Sequence, residues 1–505
     1  MPEKSVDVVI SGGGPNGFML AAELCLGGVR PVVIEGLPGP SSEPRANGLA
    51  GQAVRLLDMR GLYQELSGRS TPPEPAPRYL FGGLTLSFAA VEPNPMYLLP
   101  VPQPTLVRHL AERAQGLGAE IRWSHEVTDL KQDDGGVAVE VSGPAGTCRL
   151  DARFLVGADG GKSLVRKKAG IDFVGSTSDS VTRMAHVSLP GDVRAADGGL
   201  DVPGVGHLAS GFNRLERGVF VFVEIEPGRP IVAVAETGKS RTPDEEPMTL
   251  AELREAARRV LGVDLPFGPP TGPGPHALRR IEGQNTRLAD RYREGNVFLV
   301  GDAAHVHSGV GGPGLNLGLQ DAVNLGWKLA AHVNGWAPPN LLDSYQAERR
   351  PVGERVMMHS LAQSALMLPG PEITGLRELF GELLLLPEVA TRIARLMAGS
   401  DVRYDVGDAH PLSGLLVGDG VMKTELLHSA RPVLFDGTGG AEFADAARPW
   451  ADRVDVVTAA GTDALLVRPD GYVAWAADGA DGTAVVRLRQ ALARWFGSAA
   501  NFAAR

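Results

Sequence analysis

Few cysteines, no long apolar run and no excess of positive charge characterise this chain of 505 residues. The two cysteines, Cys25 and Cys148, are too few for a disulfide framework or a thiolate metal cluster, which predicts a reducing, cytoplasmic location. No apolar stretch approaches the roughly 18 residues of a membrane helix, and the N-terminal segment does not resemble a secretory signal. The formal net charge of −10 argues against a nucleic-acid partner.

Glycine and proline are abundant, with 65 and 38 residues, and they are spread along the whole chain. This distribution predicts many turns rather than a disordered segment. Apolar strands alternate with helical patterns, which indicates an α/β protein of about three domains. Among the predicted elements are a helix over residues 52–64, a strand over 79–88, and a helix that a Thr249–Glu252 capping box opens and that ends near 261.

The first motif follows a predicted strand over residues 6–10 and opens a helix. It matches G-x-G-x-x-G through Gly12, Gly14 and Gly17, with Pro15 and Asn16 between the last two glycines. In such a motif the first glycine allows the tight turn, the second lets the backbone approach a pyrophosphate, and the third lets the helix pack on the strand. The helix N-terminus then offers free N–H groups to the phosphates.

An acidic residue, Glu35, ends the next predicted strand about 20 residues further on, where a carboxylate can hold a ribose hydroxyl. An acid at this place favours NAD or FAD over NADP as the bound dinucleotide. The alternative interpretation is a glycine turn without a ligand.

Two further motifs also follow predicted strands. Asp159 begins a strand-to-helix turn that suggests an anion site at a helix N-terminus. Asp302 follows the apolar strand over 297–300. At this place it could accept hydrogen bonds from a polyol, or could cap a turn without any ligand. Backbone N–H groups of the glycine-rich run after it can stabilise negative charge on an electron-rich ring; the residues concerned are Gly312, Gly314, Leu315 and Asn316.

In this order and at these separations, the three motifs resemble those of the FAD-dependent aromatic monooxygenases of the para-hydroxybenzoate hydroxylase fold. Arg45 lies where the family has an arginine beside the isoalloxazine ring, and Gln103 lies where the family has a glutamine that contacts the flavin. The resemblance covers essentially the whole chain. Its nearest branch comprises hydroxylases and Baeyer–Villiger oxygenases that modify polyketides in bacterial antibiotic pathways.

The resemblance implies an FAD-binding Rossmann-like domain of the glutathione-reductase type with an inserted β-sheet substrate domain and a thioredoxin-like α/β domain at the C-terminus. We expect the FAD-binding domain over 1–175 and again, with a helical segment, over 281–400, the substrate domain over 176–280, and the thioredoxin-like domain over 401–505. The last of these has no cysteine, which excludes thiol–disulfide chemistry there and favours a packing or dimerisation role.

The resemblance also implies an enzyme that binds FAD non-covalently, takes electrons from NAD(P)H and transfers one oxygen atom of O₂ through a flavin C4a-(hydro)peroxide. Its substrate would be a bulky aromatic or polyketide-derived molecule, held between residues 176–280 and 81–88. No second G-x-G-x-x-G follows a strand, so NAD(P)H would bind only transiently. Two alternatives remain: an FAD oxidoreductase that inserts no oxygen, and a binding protein without turnover.

The turn after His307 departs from the family pattern. Gly309 replaces a family proline whose carbonyl lies beside flavin and substrate, and Pro313 replaces a family glutamine, so both positions are candidate catalytic determinants. The change is either tolerated drift, with ordinary hydroxylation, or a sign of Baeyer–Villiger chemistry. His305 and His307 lack an evident carboxylate or cysteine partner, so no metal site is expected. Trp327 is predicted to pack in the core.

Overall fold

The computed structural model describes residues 5–43, 45–133, 135–224, 226–238, 246–459 and 463–499. The helices within these ranges are α1 Pro15–Leu26, α2 Gln52–Asp58, α3 Tyr63–Ser67, α4 Gln103–Gly116, α5 Leu164–Lys168, α6 Leu250–Leu261, α7 Pro313–Val333, α8 Asp343–Leu366, α9 Pro371–Leu383, α10 Pro387–Ala398, α11 Glu442–Ala447 and α12 Gly482–Phe496. In this part of the chain, no helix combines the length and the apolar character that a bilayer crossing requires.

The strands of the same ranges are β1 Ser5–Ser11, β2 Val32–Glu35, β3 Leu49–Ala50, β4 Arg78–Phe81, β5 Leu84–Ser87, β6 Leu98–Leu99, β7 Glu120–Trp123, β8 Glu126–Asp133, β9 Gly136–Gly143, β10 Gly146–Gly157, β11 Phe173–Thr177, β12 Ser180–His186, β13 Leu200–Val202, β14 Gly206–Leu208, β15 Gly211–Leu215, β16 Gly218–Val223, β17 Ile231–Thr237, β18 Leu278–Glu282, β19 Asn285–Ala289, β20 Arg293–Glu294, β21 Val297–Leu299, β22 His305–Val306, β23 Val433–Asp436, β24 Asp455–Thr458, β25 Ala464–Val467 and β26 Val473–Ala477.

The central sheet has the order β20-β21-β10-β1-β2-β7, and the five strands from β21 to β7 run parallel. Helix α1 packs against α7 and α4, so both it and the middle strands are almost fully buried. Strands that are buried on both faces carry continuous apolar runs, as Val8, Val9 and Ile10 do here. The parallel sheet with covering helices confirms the predicted α/β class.

A five-stranded antiparallel sheet, β15-β16-β17-β12-β18, lies between the halves of the central sheet in sequence. Helix α6 covers one face of this sheet, where Phe220, Phe222 and Val234 join the apolar residues of the helix in one core. The capping box is confirmed, since the Thr249 side chain accepts a hydrogen bond from the Glu252 N–H at the start of α6.

A four-stranded sheet, β24-β23-β25-β26, forms the C-terminal part together with α11 and α12. Its strands share one apolar core with the central sheet, to which Leu465 and Val467 contribute. Arg60 and Glu23, both almost fully buried, form a bidentate ion pair at this junction. The Arg60 guanidinium also donates to the carbonyl oxygens of Leu427 (2.9 Å) and Pro469 (2.6 Å).

Two predicted elements differ from the structure. The helix predicted over 52–64 is broken into α2 and α3, because the chain turns at Gly61 with φ of +68°. The strand predicted over 79–88 folds back on itself as the β4–β5 hairpin. Trp327 lies in the core, as predicted, and is only 3% exposed.

Candidate functional site

The first glycine turn leaves open space at the N-terminus of α1. A Cβ atom at Gly12 would lie 2.4 Å from the Ala158 carbonyl oxygen, and one at Gly17 would lie 2.0 Å from the Gly12 carbonyl oxygen. These two glycines therefore permit close packing of backbone on backbone. A Cβ atom at Gly14, the N-cap of α1, would meet nothing within 4 Å, and Pro15 follows as the first helical residue. The helix N-terminus is thus accessible to an anionic ligand.

Glu35 and Asn16 connect this turn to its neighbours. The Glu35 carboxylate accepts hydrogen bonds from the N–H groups of Gly13 (2.6 Å) and Leu37 (2.8 Å), which hold it beside the turn. The Asn16 amide is wedged against Gly301 and Gly318, so that a Cβ atom at either glycine would collide with it. Its Oδ1 atom is buried without a partner in the described structure. Asn16 therefore joins the first motif to the turn that carries Asp302.

Asp159 occupies the helix N-terminus that the sequence suggested as an anion site. Its Oδ2 atom accepts hydrogen bonds from the N–H groups of Leu164 (2.8 Å) and Val165 (3.1 Å) in the short helix α5. The anion at this terminus is thus the Asp159 carboxylate itself. Its Oδ1 atom is buried and has no partner among the described residues, so it is available to a hydrogen-bond donor from a ligand.

Asp302 lies in the short turn Gly301–Ala303, directly after β21. Its side chain is open to solvent, yet the surrounding protein raises the pKa of its carboxyl, while the charges of His305 and Arg45 lower it. The structure therefore places Arg45 and Asp302, which lie far apart in sequence, close enough for their charges to interact, and we call the region around these two residues the cleft.

The segment that carries Arg45 is held by Gln103 and by Glu43. Gln103 exchanges two hydrogen bonds with the backbone of Ala46, one through its side-chain oxygen (3.2 Å) and one through its own N–H (2.9 Å). The Arg45 side chain is 61% exposed and pairs with the Glu43 carboxylate at 2.7 Å. Arg45 is therefore positioned from its backbone side while its guanidinium stays accessible.

The glycine-rich turn before α7 leaves open space at two of its glycines. Cβ atoms at Gly309 and Gly312 would meet nothing within 4 Å, and Pro313 begins α7. Asn316 fixes the turn, because its Oδ1 atom accepts from the Ala50 N–H (2.9 Å) and its amide donates to the Gly312 carbonyl (2.9 Å). Of the remaining predicted residues, Leu315 is half-buried and Gly314 packs against the His307 ring.

A buried charged cluster supports the Asp302 turn, and sequence reasoning missed it. The Asp321 carboxylate of α7 receives the His305 Nε2 atom at 2.6 Å, the Arg349 Nε atom at 2.7 Å and the Gly301 N–H at 3.2 Å. Burial raises the pKa of the Asp321 carboxyl, but the charges of Arg349 and His305 lower it by more. The pKa of Asp321 therefore lies below its usual value. The expectation that His305 lacks a carboxylate partner was therefore wrong. The sequence offered one signal for this cluster, the charged Asp321 within the largely apolar stretch that forms α7.

The five-stranded sheet turns an apolar face away from α6. One row of paired residues crosses all five strands on this face: Phe212, Val221, Ala233, Met184 and Arg279. The Arg279 guanidinium lies 3.7 Å from the Met184 sulfur and 3.4 Å from the Glu43 carboxylate, which also binds Arg45.

Through Glu43, Arg279 thus joins the apolar face to the cleft with Asp302. Arg279 and Met184 belong to no sequence motif, so this connection could not be predicted from the sequence.

Two family models match the chain. A model described as an FAD binding domain matches residues 5–360, and one described as the C-terminal part of aromatic-ring hydroxylases matches residues 406–499.

Similar curated proteins span nearly the same length. A 12-dehydrotetracycline 5-monooxygenase/anhydrotetracycline 6-monooxygenase from Streptomyces rimosus is 40% identical over 97% of this chain and 99% of its own. A rifampicin monooxygenase from Streptomyces venezuelae is 38% identical over 98% and 99%. Among solved structures, CabE, an aromatic hydroxylase from angucycline biosynthesis, superposes with a TM-score of 0.85 at 36% identity and covers 98% of this chain and 100% of its own.

Proposed function

The chain belongs to the family of FAD-binding aromatic-ring hydroxylases, and on this premise we propose that it is an FAD-dependent monooxygenase. It transfers one oxygen atom of O₂ to a bulky, polyketide-derived aromatic substrate, with NAD(P)H as the electron donor. The observation that carries the proposal is that the open N-terminus of α1 contacts the Asp302 turn through Asn16, while the charge of the exposed Arg45 acts on the Asp302 carboxyl.

The residues of the cleft fit FAD by their chemistry. The α1 N-terminus at Gly14 would hold the pyrophosphate, Glu35 the adenosine ribose and Asp302 the ribityl or phosphate region. The unpartnered Asp159 Oδ1 atom offers a further acceptor. No covalent link is proposed. When bound, FAD supplies the redox chemistry of electron uptake from NAD(P)H and oxygen activation.

Arg45 and the turn before α7 would act on charge at the flavin ring. A guanidinium that is held by its backbone and kept accessible can stabilise negative charge beside it, as can backbone N–H groups aimed at the same place. The open positions at Gly309 and Gly312 let a planar ring approach the backbone closely. Pro313 contributes no N–H group there.

The apolar face of the five-stranded sheet would form the substrate wall. Its row of residues spans four inter-strand steps, about 19 Å at the usual strand spacing. A wall of that width suits a flat molecule of several fused rings, and its apolar side chains exclude water from the reacting centre. The names of the tetracycline and rifampicin relatives agree with a polyketide of this size.

Baeyer–Villiger oxygenation is the second candidate reaction. The family resemblance implies proline and glutamine at the positions of Gly309 and Pro313, and on that basis the number and direction of backbone donors at the ring would differ from the family arrangement. A ketone substrate would then be converted to an ester or lactone. Hydroxylation remains our first proposal. We further propose a cytoplasmic enzyme that acts as a monomer or a homodimer.

Isotope labelling tests the proposal directly. The FAD-loaded protein is incubated with NADPH or NADH, ¹⁸O₂ and anhydrotetracycline, followed by a panel of other polycyclic aromatic polyketides, and the products are weighed by mass spectrometry. We expect one ¹⁸O atom in the product, none from labelled water, and intact FAD released by denaturation. Reduction of bound FAD without label in any product would instead favour an oxidoreductase that inserts no oxygen.

A further inference from the structure

Two arginines leave the apolar face of the five-stranded sheet at its opposite edges. Arg279 on β18 reaches Glu43 and so the cleft with Arg45. Arg214 on β15, the other edge strand, points to the same face as Phe212, because side chains two residues apart on a strand share a face. The flavin end of the wall is therefore at β18, and its outer end is at β15.

The Arg214 guanidinium fastens that outer end to the turn between α8 and α9. Its Nε atom donates to the Leu368 carbonyl (2.7 Å), one terminal nitrogen donates to the Gly370 carbonyl (3.1 Å), and the other donates to the Thr374 hydroxyl (3.1 Å). One side chain thus satisfies three acceptors on the turn and on the first part of α9, and it bridges two separate parts of the fold.

Helix α9 has few other attachments. None of its residues is buried. Arg377 donates to the carbonyls of Gly82 (2.5 Å) and Leu366 (2.8 Å), and the Phe380 ring lies 5.5 Å from the Phe81 ring. Burial and the nearby charge of Arg214 lower the pKa of Arg377. The guanidinium groups of Arg214 and Arg377 therefore repel each other. This repulsion offsets part of the stabilisation that their hydrogen bonds give to the observed position of α9.

The surface around α9 is unusually apolar. Of the twenty exposed large apolar side chains in the described structure, eight lie between residues 358 and 386, which is too many in one short segment for scattered exposure. Six of them belong to the turn before α9, to the helix itself and to the residues after it: Leu368, Leu376, Leu379, Leu383, Leu385 and Leu386. These leucines offer an apolar surface to a flat, hydrophobic molecule.

We infer that the substrate of the proposed reaction passes between β15 and the α8–α9 turn, and that Arg214 is a positioning residue that latches this portal. The occupant is the apolar, polycyclic substrate in transit. With the latch closed, the α8–α9 turn is held against the outer edge of the wall; with it open, the apolar surface of α9 continues into the wall. The inference rests on the proposed function for the nature of the occupant, but the latch itself is testable without turnover.

The experiment compares the FAD-loaded wild-type protein with Arg214→Ala, with Arg214→Lys, and with Arg217→Ala as a control. Arg217 is an exposed arginine in the same β15–β16 hairpin. Hydrogen exchange of residues 366–383 reports the latch, and stopped-flow binding of anhydrotetracycline reports passage. We expect Arg214→Ala to raise exchange in this segment by about tenfold and both binding rate constants by about threefold or more, with the Kd within about twofold. Arg214→Lys should restore part of each effect.

Unchanged exchange in Arg214→Ala, or faster exchange with unchanged binding rates, would overturn the latch and leave Arg214 as a structural contact. If neither anhydrotetracycline nor any other polyketide of the panel binds to the wild type or to Arg214→Ala, the substrate class in the proposed function is wrong and the portal is overturned with it, while the exchange data alone decide whether Arg214 holds α9.

Discussion

Asp302 combines an accessible carboxylate with a protein surrounding that disfavours its charge. Such a group is stabilised by donors from a ligand, and the ribityl chain of FAD carries hydroxyl donors. We therefore expect Asp302→Ala to raise the Kd for FAD by about tenfold or more, measured by flavin fluorescence on the apoprotein. Asp264→Ala, at an 88% exposed side chain, should leave the Kd unchanged. An Asp302→Ala protein with undiminished FAD affinity would remove Asp302 from the cofactor site.

Residues with local signals could be predicted from the sequence, and residues that act through distant partners could not. The sequence alone indicates Gly12, Gly14, Gly17 and Glu35, because a tight turn needs glycine at fixed spacings. It gives no such indication for His305, because its partner Asp321 lies on the following helix and the contact between them depends on how α7 packs. Nothing in the sequence distinguishes Arg214 from the other arginines, because its contact with the turn at Gly370 depends on the tertiary structure.

At the scale of elements, the turn from His307 to Asn316 would determine, in the proposed function, how many backbone donors reach the flavin ring. Gly309→Pro combined with Pro313→Gln would fix one φ angle and restore one N–H at the start of α7. We expect the fraction of NAD(P)H oxidation that yields product to change by about threefold or more, since water exclusion and donor geometry both change. The single variants serve as controls. The same coupling and the same product in the double variant would mean that the turn has drifted without consequence.

Helix α6 is fastened to the sheet by charge, which makes its docking sensitive to acid. Hydrogen bonds from Arg280 and Arg183, against the effect of burial, lower the pKa of Glu252 to about 2. Because the folded-state pKa lies below the unfolded value, this contribution is complete above about pH 4.5 and is lost as the pH falls toward 2.

Urea unfolding of the wild type and Glu252→Gln should therefore differ by about 2 kcal/mol at pH 6, with a gap that narrows below pH 4.5. Glu255→Gln changes an exposed residue of the same helix and should show no such gap. If the difference in unfolding free energy between the wild type and Glu252→Gln did not change with pH, the effect of the substitution would come from packing and not from charge.

At the scale of the whole molecule, the C-terminal part is a structural portion of the flavoprotein body. Arg468 donates two hydrogen bonds to Glu348 on α8 (2.6 and 2.8 Å) and two to Asp470 (3.0 and 2.5 Å), and all three side chains are buried. Arg468→Ala would leave the buried Asp470 carboxylate without its cation and would leave Glu348 paired with Lys328 alone, and we expect a loss of about 3–5 kcal/mol in the free energy of unfolding.

Arg489→Ala, at an exposed arginine on α12, is the matched control for urea unfolding. Truncation near residue 400 should lower both the solubility and the free energy of unfolding of the remaining chain, because Leu465 and Val467 belong to the core of the central sheet. A soluble truncated protein that keeps its stability would contradict this account, as would an Arg468→Ala protein as stable as the control.

The Arg60–Glu23 pair has a consequence for synthesis of the protein on the ribosome. Arg60 donates to the carbonyl of Pro469, which lies 409 residues further along the chain. At translation rates of 5–20 residues per second, roughly 20–80 s pass between the emergence of the two partners. Throughout that interval the nascent FAD-binding half carries the Arg60–Glu23 ion pair and an apolar surface that the C-terminal part covers in the folded protein. We therefore expect cofactor uptake to follow release of the finished chain, and chaperones to hold the unfinished one.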